Sequence, residues 1–472
     1  MKNRWSTLLP AAILLACAEV PAERAGVMPA SGTDAVQPMT AQADSFDASG
    51  AAADGAPVDS LDLHGASPGV SVSVTTQELG ASARAADTTI RARAPAQIRG
   101  IYLNAYAAGS ARRLPALLAL ADTTELNAFV VDVKDEKGIH YRSGLELATQ
   151  LAQPGEQTIR SLSALVDTLH AHGLHAIARI VVFKDPILSK AKPEWSIRTP
   201  DGELWVDKAG NTWVSAWEPA VWDYNIAIAE EAAKAGFDEI QFDYIRFPEP
   251  YASLPDQVHP KAAGTRTEAI VGFLEQARER LHPLGVIVAA DVFGLSPNDG
   301  RDINIGQQWE DILAAADHVL PMVYPSHYLP THLPGVRTPN RMPYETVFKS
   351  VGAGMVRAQR LADNGVTTAR VIPWLQAFDA PWIDREYSYG PEQAKAQIEA
   401  LYEVGVDDWI FWHPGSRYEH LSAAFERTTA SHAKAFEPSQ ELIEFADRID
   451  SAGARAARER VSGAASNAAS TQ

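Results

Sequence analysis

Charged groups and flat rings recur where the strand-forming runs of this chain stop. Residues 128–135, Ala-Phe-Val-Val-Asp-Val-Lys-Asp, supply Asp132 and Asp135, and residues 174–185 supply Arg179, Lys184 and Asp185. Residues 236–248 supply Asp243 and Arg246, and residues 285–293 supply Asp291. Three later runs supply Tyr324 and His327, Trp374 and Gln376, and Trp412 and His413. Paired carboxyl groups beside ring faces suit the cleavage of an acetal between two sugars. One carboxyl group protonates the leaving oxygen while the other attacks or activates water. Flat faces and hydrogen-bonding groups hold the ring in place.

Within this set Asp243 and Asp291 make the best pair, at matching depth on neighbouring strands. Asp243 reads as nucleophile or electrostatic stabiliser. Arg179 on the adjacent strand can lie beside it, and a nearby cation favours the ionised carboxylate. Asp291 is set among Val, Ala, Phe and Gly. A drier site raises a carboxyl pKa and suits a general acid. Asp132, Arg179, Arg246, Tyr324, Trp374, Gln376 and Trp412 are the expected substrate contacts. The competing reading is architectural: Asp243 with Arg179 or Arg246 as a buried ion pair closing the fold, Asp291 as a cap, and Asp132 with Lys134 as an interior salt bridge.

Other chemistries find less support. Cys17 is the only cysteine, so neither an intrachain disulfide nor a thiolate zinc site can form. His170, His172 and His175 cluster in sequence but fall on different faces, and there is no H-E-x-x-H. His327 with Asp243 or Asp291 is the remaining metal candidate; the expectation is no metal and no cofactor. No G-x-S-x-G elbow falls between the strands and helices of residues 96–430, and no phosphate-cradling G-x-G-x-x-G follows the first strand. The net charge of −18, from 59 acidic and 41 basic residues, argues against a nucleic-acid partner.

The elements that must position these groups follow one rhythm. Strands are expected at 98–103, 128–135, 174–183, 239–244, 285–293, 318–324, 369–376 and 408–412. Helical periodicity fills 114–121, 159–172, 222–235, 267–281, 309–316, 344–363 and 391–404. Eight strands alternating with helices across residues 96–430 predict an α/β fold, a single (β/α)8 TIM barrel. Long insertions follow several strands, notably 184–219, with Trp195, Trp205, Trp213 and Trp217, and 325–343. In the fourth strand Ile240, Phe242 and Tyr244 alternate with Gln241 and Asp243, so the carboxylate is expected to face inward near the strand's C-terminal end, where barrel enzymes keep their chemistry.

The ends read differently. Lys2 and Arg4, then an apolar run over 8–16 too short to span a bilayer, precede Leu14-Leu15-Ala16-Cys17. This is the pattern of a bacterial lipoprotein signal peptide over 1–17, with Cys17 lipidated. Residues 18–95 are rich in Ala, Ser, Asp, Gly and Pro, and are expected to form a disordered linker. Residues 431–472 are expected to be a helical or disordered tail. The partners implied are a polysaccharide or oligosaccharide substrate and a membrane reached through the lipid anchor, in the bacterial cell envelope.

Five motifs occur in order: 99–106 Arg-Gly-Ile-Tyr-Leu-Asn-Ala-Tyr, 127–135, 178–185, 242–248 Phe-Asp-Tyr-Ile-Arg-Phe-Pro, and 291–294 Asp-Val-Phe-Gly. Together they resemble the putative glycosyl hydrolase domain family, first known as a domain of unknown function. The resemblance covers roughly residues 98–415. It implies a TIM-barrel glycoside hydrolase, distantly similar to the alpha-amylase clan, with a strand-four acid at Asp243. Asp291 stands where that clan has a strand-five Glu, and Gln241 where it has an Arg. The expected activity is hydrolysis of a polysaccharide or cell-envelope glycan. Two alternatives are a non-catalytic carbohydrate-binding envelope lipoprotein on the same scaffold, and a metal-dependent hydrolase.

Overall fold

Every residue of the run Ala128–Asp135 is buried, as are those of Arg99–Leu103, Glu239–Asp243 and Ile287–Phe293. Strands covered on both faces are the mark of a parallel sheet wrapped in helices. The computed structural model describes residues 89–425 and 431–469, with side chains of the last helix described to residue 455. Cys17, the expected leader and residues 18–88 of the expected linker lie outside the described residues.

Eight strands form the barrel: β1 (Arg99–Leu103), β2 (Ala128–Asp135), β3 (His175–Val181), β4 (Glu239–Asp243), β5 (Ile287–Phe293), β6 (His318–Met322), β7 (Arg370–Val371 and Trp374–Gln376) and β8 (Trp409–Trp412). Neighbours run parallel, and β1 pairs with both β8 and β2, which closes the cylinder. β7 is broken at Ile372-Pro373, where the ring nitrogen has no proton to give the ladder. Helices return the chain between strands, as expected of a (β/α)8 barrel.

Alternation sorts each strand into two faces. Outward residues such as Phe129, Val131, Ile240 and Phe242 pack under the helices. Inward residues Val130, Ile177, Ala289, Leu320, Ile372 and Ile410 form an apolar layer inside the cylinder. Below that layer Glu239 accepts from His175 (3.1 Å) and His318 (3.0 Å), a polar plug at the strand N-termini. Above it, at the C-terminal rim, stand the groups singled out from the sequence. The loops at that rim are long, spanning 182–218, 244–264, 323–342 and 377–390, while the returns at the other rim take a few residues.

One boundary differs from expectation. The ordered chain reaches upstream of residue 96: Ile90 is buried, and Arg91 donates to the carbonyls of Thr368 (2.7 Å) and Ala316 (3.0 Å) beside Asp317. One guanidinium thus satisfies backbone acceptors at the barrel's base, so residues 89–95 belong to the packed domain. At the other end the helix Gln440–Ala469 docks on the helix Pro343–Asp363. Leu442 and Ala446 are buried there, and Arg360 pairs with Asp447 and Asp450, both at 2.7 Å. The approach is close enough that a Cβ on Gly453 would sit 2.2 Å from the Gly300 carbonyl oxygen.

Candidate active site

Asp132 on β2, Arg179 on β3, Asp243 on β4 and Asp291 on β5 share the inward face; Asp132 stands opposite Arg179, and Asp243 one inward position beyond the Gln241 that pairs with Arg179. Arg179 is the hub. Its Nε (3.0 Å) and Nη2 (2.5 Å) both donate to Oδ2 of Asp243, and its Nη1 donates to Oδ1 of Asp132 at 2.5 Å. The Tyr102 hydroxyl from β1 donates to the other oxygen of Asp132. Oδ2 of Asp291 lies 4.0 Å from Nε of the same guanidinium.

Three carboxylates around one cation cannot all stay charged in a dry site. Burial, then the charge of Asp243, raises the Asp291 pKa well above the usual carboxylate range. The hydrogen bonds agree. Oδ1 of Asp291 accepts from Gln241 Nε2 and Trp374 Nε1, each at 2.7 Å, while Oδ2 is buried without a hydrogen-bond partner. An acid with one accepting oxygen and the proton on the other fits that pattern. Burial also raises Asp132, against the pull of Arg179. For Arg179 burial works toward a lower pKa, but Asp132 and Asp243 outweigh it and hold the guanidinium charged.

The backbone turns sharply after Asp243. Tyr244 has φ of 50°, a left-handed conformation unusual for a ring-bearing residue. Its N–H then donates to Oδ1 of Asp243 at 2.5 Å. Such conformations cost about 1–3 kcal/mol and concentrate where a site requires them. The Tyr244 ring lies under Lys184, and Arg246 stacks between the rings of Tyr244, Trp213 and Phe293 and pairs with Glu249.

Above this floor opens a cleft of ≈ 840 Å³, solvent included. One side carries Asp132, Asp135, Glu136, Arg179, Asp243 and Arg246; the other carries Tyr102, Tyr324, Trp374, Phe378, Trp382 and Trp412. The rings support one another, Trp412 meeting Phe378 at 5.1 Å, Tyr324 at 5.8 Å and Tyr102 at 6.0 Å. Asp135 is held by His140 (2.9 Å) and the Lys137 N–H (2.7 Å). Burial would lower the His140 pKa, but the bond to Asp135 prevails and lifts it to about 9. Glu136 is different: its carboxylate meets Lys184 Nζ at 3.6 Å and accepts no hydrogen bond within the described residues.

The sequence-derived set therefore divides. Asp132, Arg179, Asp243, Arg246, Tyr324, Trp374 and Trp412 line the cleft. Asp291 does not; it is 1% exposed and lies beneath the lining, bonded to Trp374. Gln376 is also sealed, accepting from the Ser326 N–H and donating to the Phe378 carbonyl, so it ties two loops together and is no substrate contact. Lys134 turns outward to Asp185 (2.8 Å), so the alternative pairing of Asp132 with Lys134 does not form. Tyr102, Glu136 and Trp382 are cleft residues that the sequence reading passed over. Tyr102 lay within the first ordered motif, two residues into an inward alternation that was legible. His327 lines the cleft too, and among the described residues no group of three or more His, Cys, Asp or Glu side chains converges to hold a metal.

No curated protein matches the chain. Among solved structures it is similar to a hypothetical protein of Ruminiclostridium thermocellum, 37% identical over 41% of this chain and 97% of that one, with a TM-score of 0.37. It is also similar to the PgaB (BpsB) glycoside hydrolase domain of Bordetella bronchiseptica, 16% identical over 71% and 100% of the two chains, with a TM-score of 0.50. The second likeness is one of fold. Residues 100–418, which span the barrel from β1 to beyond β8, match the family described as "Putative glycosyl hydrolase domain", and the chain belongs to that family.

Proposed function

We propose that the cleft hydrolyses glycosidic bonds of a polysaccharide or oligosaccharide on Asp243. The observation that carries this reading is the Asp243 carboxylate itself. It is held by Arg179 and by the Tyr244 N–H on the floor of a cleft whose far wall is a set of flat rings. An ionised carboxylate fixed there stabilises positive charge at an anomeric carbon, or attacks it. Proton delivery to the leaving oxygen falls to Glu136. It is the cleft carboxylate that accepts no hydrogen bond within the described residues, and a general acid must reach the atom it protonates. Asp291, out of reach beneath Trp374, keeps its proton so that Arg179 serves Asp243 and Asp132. We assign Cys17 as the lipidated residue that ties the domain to a membrane of the cell envelope; mass spectrometry of the mature N-terminus tests this, an unmodified Cys17 refuting it.

The test of the hydrolase reading is Asp243→Asn. The variant should fold and bind glycan yet cleave none; cleavage at the wild-type rate would refute the assignment. The sealed Asp291 gives the non-catalytic, carbohydrate-binding reading its one supporting observation. Glycan binding by the wild-type protein without any release of reducing ends would establish it.

A further inference from the structure

Trp382 presents an open ring face at the mouth of the cleft. It is 45% exposed, and among the described large apolar residues that are exposed it alone lines the cleft. Its other face is occupied: Phe378, 4% exposed, lies nearly parallel beneath it, with centroids 6.2 Å apart and planes 17° apart. Phe378 in turn meets Trp412 edge-on at 5.1 Å. A stack of rings thus runs from the cleft wall out to solvent and ends in an uncovered indole, beside Ile383, itself 47% exposed.

The loop that carries Trp382 is fixed at both ends. Gln376 Nε2 donates to the Phe378 carbonyl at 2.9 Å, and the Ile383 and Asp384 N–H groups close a turn on the Ala380 carbonyl. Asp379 accepts from the Tyr389 N–H (2.7 Å), the Tyr389 hydroxyl donates to the Asn340 carbonyl (3.0 Å), and Arg341 pairs with Asp384 at 2.5 Å. The ring is therefore presented by a built support. Holding an apolar face in water is unfavourable, and a face held so beside a cleft is poised for an apolar ligand face.

We propose that Trp382 is the stacking platform of an outer sugar subsite, so that the substrate is a chain in which a pyranose ring beyond the cleaved bond lies on the indole. A pyranose has an apolar C–H face and a hydroxyl rim, which matches a flat apolar surface open at its edges. Binding energy gained at such a remote ring holds the substrate and the transition state alike, so chain length should raise kcat/KM through a lower KM. This inference rests on the cleft being a carbohydrate site, not on Asp243 being catalytic.

The experiment compares wild type, Trp382→Ala and Trp382→Phe on chitohexaose, glucosamine hexamer, cellohexaose and maltohexaose, and on the p-nitrophenyl glycoside of each sugar. The Asp243→Asn protein is included for binding by calorimetry. On the hexamer that is cleaved, Trp382→Ala should lose about tenfold more kcat/KM than it loses on the matching monoglycoside, with the loss in KM, and Trp382→Phe should recover most of it. Equal losses on both substrates, or none on either, would overturn the platform. Hexamer binding that weakens in Trp382→Ala, with no cleavage by wild type, would keep the platform and sink the hydrolase. Neither binding nor cleavage of any hexamer would count against both.

Discussion

The indole N–H of Trp374 reaches Oδ1 of Asp291 at 2.7 Å, tying the broken strand β7 to β5 beneath the cleft. The bond fixes which oxygen of Asp291 accepts and which holds the proton. Its consequence is a pH dependence with a definite sign. The folded pKa of Asp291 is raised by burial and by Asp243, so the folded state holds a proton that the unfolded chain gives up. The associated stability is fully present below the unfolded pKa, about 4, and is lost as pH rises through the folded value. Asp291→Asn keeps the accepting oxygen and removes the titration. Its stability relative to wild type should therefore climb between pH 4 and pH 8 in denaturant melts. A constant difference across that range would show that Asp291 is ionised in the fold.

Replacing Asp243 by Asn removes the charge and leaves one oxygen, which can accept from Arg179 or from the Tyr244 N–H but not from both. Turnover should fall by about 10³-fold or more, as when a group of a cooperating catalytic set is lost. The midpoint of thermal unfolding should stay within a few degrees of wild type. Glu136→Gln should separate from it by leaving group. A dinitrophenyl glycoside, whose leaving group needs no proton, should be cleaved nearly as well as by wild type, while an oligosaccharide should slow by about 10²–10⁴-fold. An equal slowing on both substrates would remove Glu136 as the proton donor.

Arg179 serves two carboxylates at once, which a lysine cannot do with the same planar fork. Arg179→Met leaves Asp132 and Asp243 without their shared cation. Breaking a buried pair in this way costs about 3–5 kcal/mol, read as a shift of the urea midpoint. Arg179→Lys should recover part of the stability but little of the activity, because the two donors that fix Oδ2 of Asp243 become one point charge. Full activity in Arg179→Lys would mean that the orientation of Asp243 does not matter.

How much of this could be read from the chain beforehand follows from what periodicity encodes. Alternation in 239–244 placed Gln241 and Asp243 inward, and the register Phe242↔Ala290 puts Asp243 and Asp291 at neighbouring levels, as the sequence implied. Alternation says which face a side chain takes, but not how far its neighbours reach over it. The Trp374 ring covers Asp291 from two strands away, and Gln376 turns to backbone groups of the loops after β6 and β7. Both depend on distances set only when the cylinder closes. Trp382 was illegible for another reason: it lies in a loop, where no period exists, and its support comes from Asn340 and Arg341, some 40 residues earlier. Arg91 reads as linker because its surroundings are small and polar, yet one guanidinium finds three acceptors at the barrel's base.

His140 offers a check on the cleft's edge that needs no substrate. Its Nε2 stands 2.9 Å from the Asp135 carboxylate as an ion pair, and its Nδ1 bonds the Glu156 carbonyl at 3.0 Å. The folded pKa is raised to about 9, against about 6.5 in the unfolded chain. A raised histidine contributes stability that is full below pH 6.5 and is lost as pH climbs through 9. Asp135, lowered despite burial because His140 and the Lys137 N–H favour its charge, contributes stability above the unfolded pKa that is lost on acidification. The pair should therefore support the fold most between about pH 4 and 6.5. His140→Gln should destabilise by about 3 kcal/mol at pH 6 and by far less at pH 10, since the wild-type ring is then neutral too. The ring carbon shifts of His140 in an NMR titration give the same answer directly. A midpoint near 6.5 would mean that Asp135 and His140 do not share a proton-stabilised bond, and that the cleft carries one more uncompensated carboxylate.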